Sequence, residues 1–169
     1  MDEEIKNRVA NSKLVTIDLE EFYPKGKRVE LDISQWLFEG IVLKEKEFRD
    51  EIKNHNWKQY KDCYIALTNT TEAIIPAWAF MLLTIRLTPF AKKISVGTLE
   101  QLENLIFSEI IAKIDLSVYQ NKSVIIKGCS NKPIPENAFI QFTQVLQPIA
   151  KSIMYGEACS AVPLFKKNK

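Results

Sequence analysis

Two Cys-Ser dipeptides, Cys129-Ser130 and Cys159-Ser160, carry the side chains of this chain best suited to chemistry. Cys129 follows Gly128 at the end of an apolar run and stands ahead of a proline-started helix. The positive end of a helix lowers the pKa of a thiol placed there. Two such thiolates suit a metal, an iron–sulfur cluster or a sulfur-transfer step. No C-x-x-C spacing is present, so iron–sulfur or zinc ligation by Cys129 and Cys159 rests on position alone. Cys63 opens an apolar run and reads as structural, because free cysteines are among the most buried residues.

The polar turns between strand and helix are the second kind of candidate. Thr68, Asn69, Thr70, Thr71 and Glu72 form one, and Gly128, Cys129, Ser130, Asn131 and Lys132 form the other. A turn of this kind offers unpaired N–H groups to a small anion, whereas the plainer reading is that its hydroxyls and amides only cap the helix. Glu72 has the same two readings, base or ligand against a carboxylate that favours a helix start. Neither turn carries a Walker or dinucleotide fingerprint. A hydrolase or transferase with Cys129 or Ser130 as nucleophile needs a base. His55, the sole histidine, follows a helix and fits a helix C-terminus better than a catalytic centre.

The elements that position these residues occur twice. Shifting the chain by 59 residues lays Ile75–Ile94 over Ile134–Ile153 with ten of twenty positions identical, among them Pro76/Pro135, Phe80/Phe139, Pro89/Pro148 and Lys92/Lys151. Tyr60 then meets Tyr119, Phe48 meets Phe107, Ile52 meets Ile111 and Gly97 meets Gly156. Each copy reads as helix, strand, polar turn, helix, strand. Cys129 falls on Thr70, so the copies differ where the chemistry is expected.

Within the copies, Lys44 to Asn54 is helical, with Phe48 and Ile52 on one face. Cys63 to Leu67 and Val124 to Ile126 are buried strands. Ala73 to Thr88 is apolar nearly all round, which predicts a central buried helix. Thr98-Leu-Glu-Gln101 is a capping box opening the next helix. Ahead of the copies, Leu14–Asp18 and Arg28–Ile33 alternate as strands, expected as an antiparallel edge addition or a dimer contact. Ala161 to Phe165 forms a last strand. Trp36 and Trp78 read as core or interface anchors.

The fold class expected is therefore α/β: a single-domain layered sandwich over 1–169, with a mixed, mostly parallel sheet covered by helices on both faces and two similar halves. Residues 1–42 are an N-terminal addition, 43–97 the first half, 102–156 the second, and 157–169 the final strand and tail. Ligands of such sheets lie beyond the carboxyl ends of the strands.

Composition narrows the function classes. A net charge of +2 with dispersed basic residues gives no electrostatic case for nucleic acid. The longest apolar stretch is too short to span a bilayer, so no membrane partner is expected. The acidic start lacks signal-peptide features, and three cysteines without close pairing suit a reducing compartment, so a cytoplasmic location is expected.

Lys127-Gly-Cys-Ser-Asn-Lys-Pro-Ile-Pro135, the stretch Glu72 to Ala79 and the ending Ala150 to Phe165 resemble the bacterial domain-of-unknown-function family numbered 2480, found mainly in Bacteroidetes. The resemblance covers nearly the whole chain. It implies no defined activity, and it implies the company of sulfur mobilisation and iron–sulfur assembly, hence iron–sulfur assembly proteins as partners. Three functions follow as expectations: a non-enzymatic accessory factor of iron–sulfur or sulfur handling through Cys129 and Cys159, which leads; a binding module for a small anionic metabolite; and a small cysteine or serine hydrolase or transferase. A homodimer through the N-terminal segment is a further expectation.

Overall fold

A computed structural model describes residues 14–128 and 131–168. Seven strands and four helices follow in chain order: β1 (Leu14–Ile17), β2 (Arg28–Asp32), α1 (Glu45–Asn54), β3 (Tyr64–Thr68), α2 (Ala77–Leu87), β4 (Lys93–Val96), α3 (Leu99–Ile111), β5 (Ser123–Ile126), α4 (Glu136–Leu146), β6 (Ser152–Tyr155) and β7 (Val162–Lys166). The fold is α/β and mostly parallel. No helix among the described residues is long and apolar enough to cross a membrane.

The strands form two sheets, one per half, where the sequence reading drew one. The orders are β2-β3-β4 and β1-β5-β6-β7, and every pair is parallel except β6-β7. Two compact units match them: Pro24–Ile106, and the residues up to Tyr23 joined with Phe107–Lys169. Along the chain the first unit is thus inserted into the second, between β1 and the C-terminal half of α3. Each unit is a β-α-β-α-β run. The first forty residues supply an edge strand to each sheet, and both strands pair in parallel rather than antiparallel. Each is followed by helix before its partner strand, which is the connection that parallel pairing requires.

The repeat holds atom by atom. Asp62 and Asn121 are both left-handed, at φ 60 and 55, and their N–H groups bond Phe90 O and Ile149 O, each at 2.9 Å. Lys92 N to Cys63 O and Lys151 N to Lys122 O are both 2.8 Å, and the Gly97 and Gly156 N–H groups close on Leu67 O and Ile126 O. Thr84 and Thr143 hydroxyls both bond back one turn, to Phe80 O and Phe139 O.

Each unit has its own core. In the first, Phe48 and Ile52 of α1, Ile65 and Leu67 of β3, and Ala79, Leu83 and Leu87 of α2 bury one sheet face. In the second, Phe107 and Ile111 of α3, Val124 and Ile126 of β5, and Ala138, Phe142 and Leu146 of α4 occupy the equivalent positions. Full burial of such a side chain is worth about 1.5–3 kcal/mol. On the opposite face of the first sheet, Arg28 of β2 pairs with Glu103 of α3 and lies over the Tyr64 ring, 4.6 Å from its centroid.

Another expectation fails. Helix α2 is not a buried central helix: it begins at Ala77, after Pro76, and Met81 and Ile85 are 65% and 68% exposed. Only the Ala79-Leu83-Leu87 stripe is buried. The capping box, by contrast, forms as read, with Thr98 N to Gln101 Oε1 at 2.8 Å and Gln101 N to Thr98 Oγ1 at 3.2 Å.

Candidate functional site

The carboxyl ends of the parallel strands lead into the predicted polar turns, and each turn is reached by a carboxylate, Asp32 at the end of β2 in the first unit and Glu20, just past β1, in the second. In the first unit, β2 ends at Asp32. Its Oδ1 accepts Ser34 N at 2.9 Å and Thr70 N at 3.3 Å; its Oδ2 accepts Ser34 Oγ at 2.6 Å and Thr70 Oγ1 at 2.5 Å. Burial pushes the Asp32 carboxyl up, and these bonds from Ser34 and Thr70 more than reverse it, leaving its pKa below the ordinary value. Asn69 takes the next part of the turn: Oδ1 accepts Thr71 N at 3.1 Å and Thr71 Oγ1 at 2.8 Å, and Nδ2 donates to Ala73 O at 2.9 Å. Thr68 is the last residue of β3. The predicted turn residues therefore meet one another and Asp32. None caps α2, whose first turn begins five residues beyond Glu72 and has no side-chain cap. Glu72 is exposed and lines an open cleft of about 570 Å³ with Ile41, Val42 and Ile74.

In the second unit, the edge strand β1 ends at Ile17, and Asp18 after it caps a short 3-10 helix through Glu20 N at 2.9 Å. Its second oxygen takes Lys127 Nζ at 2.9 Å. Burial pushes the Asp18 carboxyl up, but the Lys127 ammonium and the Glu20 amide outweigh it and hold the pKa below its ordinary value. The same bond from Asp18 raises Lys127. Glu20 Oε1 accepts Asn131 N at 2.8 Å, and Lys132 Nζ reaches Glu20 O at 3.3 Å and lies over the Tyr23 ring. Tyr155, at the end of β6, leans over Gly128: its hydroxyl is 3.5 Å from Gly128 O, and a Cβ built at residue 128 would come within 2.8 Å of its ring.

Each turn thus already holds a carboxylate of its own chain, Asp32 on Thr70 N and Glu20 on Asn131 N. An external anion would have to displace it, and that weakens the anion-binding expectation at both turns. Sequence reasoning passed over Asp18, Glu20, Asp32, Lys127 and Tyr155 as site residues. The available signal was the repeated Ile17-Asp18-Leu19 and Leu31-Asp32-Ile33, an acid between apolar residues at the end of each edge strand.

Cys129 and Ser130 lie outside the described residues. Cys159 is exposed, in the connection between β6 and β7, and Cys63 is buried with its thiol toward Lys61 O at 3.5 Å. Among the described residues no three His, Cys, Asp or Glu side chains gather as a metal site. His55 closes α1 but sits in an aromatic box, stacked on Tyr60 and edge-on to Trp36 and Trp57. The Tyr60 O–H and the Gln59 amide meet its Nε2 at 2.9 and 3.1 Å. Burial lowers its pKa, so the neutral ring is favoured and the helix-end imidazolium expected from the sequence is not.

No curated protein and no solved structure matches this chain. The match that exists is at the level of the family and runs almost end to end, through both units and the Gly128 turn. The chain belongs to the family described as Protein of unknown function (DUF2480), which matches residues 3–167.

Proposed function

We propose that this protein is a non-enzymatic accessory factor of sulfur handling in a reducing, cytoplasmic setting, working through the thiols of Cys129 and Cys159. The observation that carries the reading is the register of β5 and β6. They are adjacent and parallel with Ile126 beside Tyr155, so the segments that bring in Cys129 and Cys159 leave the sheet at the same end. The two halves also divide their labour here. Asp32 engages Thr70, the twin of residue 129, whereas Asp18 is satisfied by Lys127. The sulfur-handling company that the family resemblance implies points the same way.

The donor set favours sulfur acceptance over a resident metal. Iron–sulfur clusters take four thiolates, and structural zinc takes four ligands. Cys63 is buried in the other unit's core, which leaves two thiols. These fit a persulfide acceptor. In that step a thiolate attacks the terminal sulfur of a polysulfide, a new S–S bond forms, and the polysulfide shortened by one sulfur leaves with the electron pair of the broken bond.

The test is anaerobic incubation with inorganic polysulfide followed by peptide mass spectrometry. One added sulfur on Cys129 or Cys159, abolished by Cys129→Ser or Cys159→Ser respectively, is the expected result. Labelling of neither, under conditions in which a free small thiol is labelled, overturns the proposal.

A further inference from the structure

The two sheets differ at one edge. In the second unit the outer side of β6 is covered by β7, which pairs antiparallel with Ile153 opposite Phe165 and Tyr155 opposite Val162, and Phe165 packs against that unit's core. In the first unit β4, the twin of β6, has one strand neighbour, β3, and among the described residues no strand lies on its other side. The chain leaves β4 through Gly97 straight into α3, so among the described residues this unit has no equivalent of β7. An edge of this kind presents a row of unpaired N–H and C=O groups, a template for another strand.

Beside that edge lies uncovered apolar surface. Ala77, Phe80, Met81, Thr84 and Ile85 of α2 and Val96 of β4 line an open groove of about 490 Å³, and Val96 is 58% exposed. The twin helix is an internal control. At the positions of Ala77, Met81 and Ile85, α4 carries Glu136, Ile140 and Gln144. The fold does not require an apolar outer stripe on this helix, since the same fold is built next door with a largely polar one. The coincidence of an open strand edge with an apolar stripe, both only in the unit that lacks a β7, points to one surface with one purpose.

We infer that a second copy of this chain covers it, with β4 pairing antiparallel to its own copy about a twofold axis and the two α2 stripes meeting above the joined sheets. The surface is complementary to itself. Its apolar positions carry no charge that would select a partner of opposite sign, and closed twofold contacts are the commonest way for such a patch to be buried. With the axis normal to the sheet, both α2 helices fall on one side, and paired residues must belong to the same face. Ser95 then faces Ser95 of the copy, Ile94 faces Val96, and Lys93 faces Gly97, so no like charges meet. A four-residue strand and an eleven-residue helix make a contact at the small end of specific interfaces, so a weak, concentration-dependent dimer follows.

Sedimentation velocity on the full chain, from low micromolar to near-millimolar concentration, tests this. The wild type should show a weight-average mass rising toward twice that of the monomer. Ile85→Glu should raise the dissociation constant by more than about tenfold, as expected when an interface anchor is lost. Val96→Pro should do the same from the strand side. Gly97 N–H points at β3, to Leu67 O, and by alternation the Val96 N–H points outward, so proline removes a donor that the β3-β4 ladder does not use. Ile140→Glu, on the twin helix, should leave the dimer intact. Melting curves of all three variants confirm that they fold. A wild type that stays monomeric throughout, or a dimer that survives both Ile85→Glu and Val96→Pro, overturns the inference and leaves the edge to a strand from another protein.

Discussion

Replacing Asp32 by alanine isolates the carboxylate that ties a strand end to its turn. The side chain accepts four hydrogen bonds, two from Ser34 and two from Thr70, which lies 38 residues away in the chain. Loss of the cap to Ser34 N is worth about 1 kcal/mol. The Thr70 bonds go to a charged acceptor but are open to water, so each is placed near the low end, about 0.5–1 kcal/mol. Asp32→Ala should therefore cost about 2–3 kcal/mol at neutral pH, or roughly 4–10 °C in Tm for a chain of this length. Asp32→Asn keeps an acceptor and loses the charge, and should cost about half as much. The pH dependence has a definite sign. The pKa of Asp32 lies below its ordinary 3.8, so the folded state favours the ionised form. Its stabilisation is complete above the unfolded value and is lost as pH falls through the folded one. In urea titrations, the gap between wild type and Asp32→Ala should be constant from neutral pH down to about 5 and close in stronger acid. A gap below about 0.5 kcal/mol at neutral pH, or one that persists unchanged at the acid end, would refute the reasoning.

Two further substitutions probe the rest of the frame. Glu103→Ala removes the carboxylate that pairs with Arg28, whose side chain is 12% exposed, and should cost about 3 kcal/mol by chemical denaturation. The double change Arg28→Met with Glu103→Leu should recover most of that loss, and a double variant as unstable as the single one would show that the pair does more than neutralise charge. Asp62 and Asn121 occupy the same left-handed conformation in the two repeats. Alanine at either should cost about 1 kcal/mol and glycine about nothing, and the two sites should behave alike if the repeat is energetic as well as geometric.

The repeat was legible because burial preserves side-chain type. Phe48 and Phe107, Tyr60 and Tyr119, and Ala79 and Ala138 are all buried. A 59-residue shift aligns each pair because each performs the same packing task. The assignment of the first two strands was not legible. Nothing local in Leu14–Ile17 or Arg28–Asp32 says that one joins a sheet completed more than a hundred residues later while the other joins the next strand in the chain. The strand-end carboxylates escaped notice for a related reason: Asp32 and Thr70 meet only once the sheet has formed. The apolar run of α2 was misread because hydrophobicity measures what a face avoids and does not say whether a core or another molecule covers it. Met81 and Ile85 are as apolar as Leu83, and only the structure separates the stripe that is buried from the stripe that is not.

Duplication makes each half a control for the other, and the differences between them are where function should be sought. Residues that agree, such as the paired prolines before α2 and α4 or the Thr84 and Thr143 back-bonds, are explained by the shared fold. Three disagreements are not. Thr70 closes on Asp32, but its twin position holds Cys129 while Lys127 takes the neighbouring carboxylate. The edge of β6 is covered by β7, where that of β4 has no covering strand among the described residues. The outer stripe of α2 is apolar where that of α4 is largely polar. The first disagreement falls where the sulfur chemistry is proposed, in the second unit, and the other two fall where the docking surface is proposed, on the first. A chain that dimerises through its first units would hold two thiol-bearing sheet ends in one assembly, one on each copy. The two proposals stand on different residues, so Cys129→Ser should leave the sedimentation behaviour unchanged and Ile85→Glu should leave polysulfide labelling unchanged.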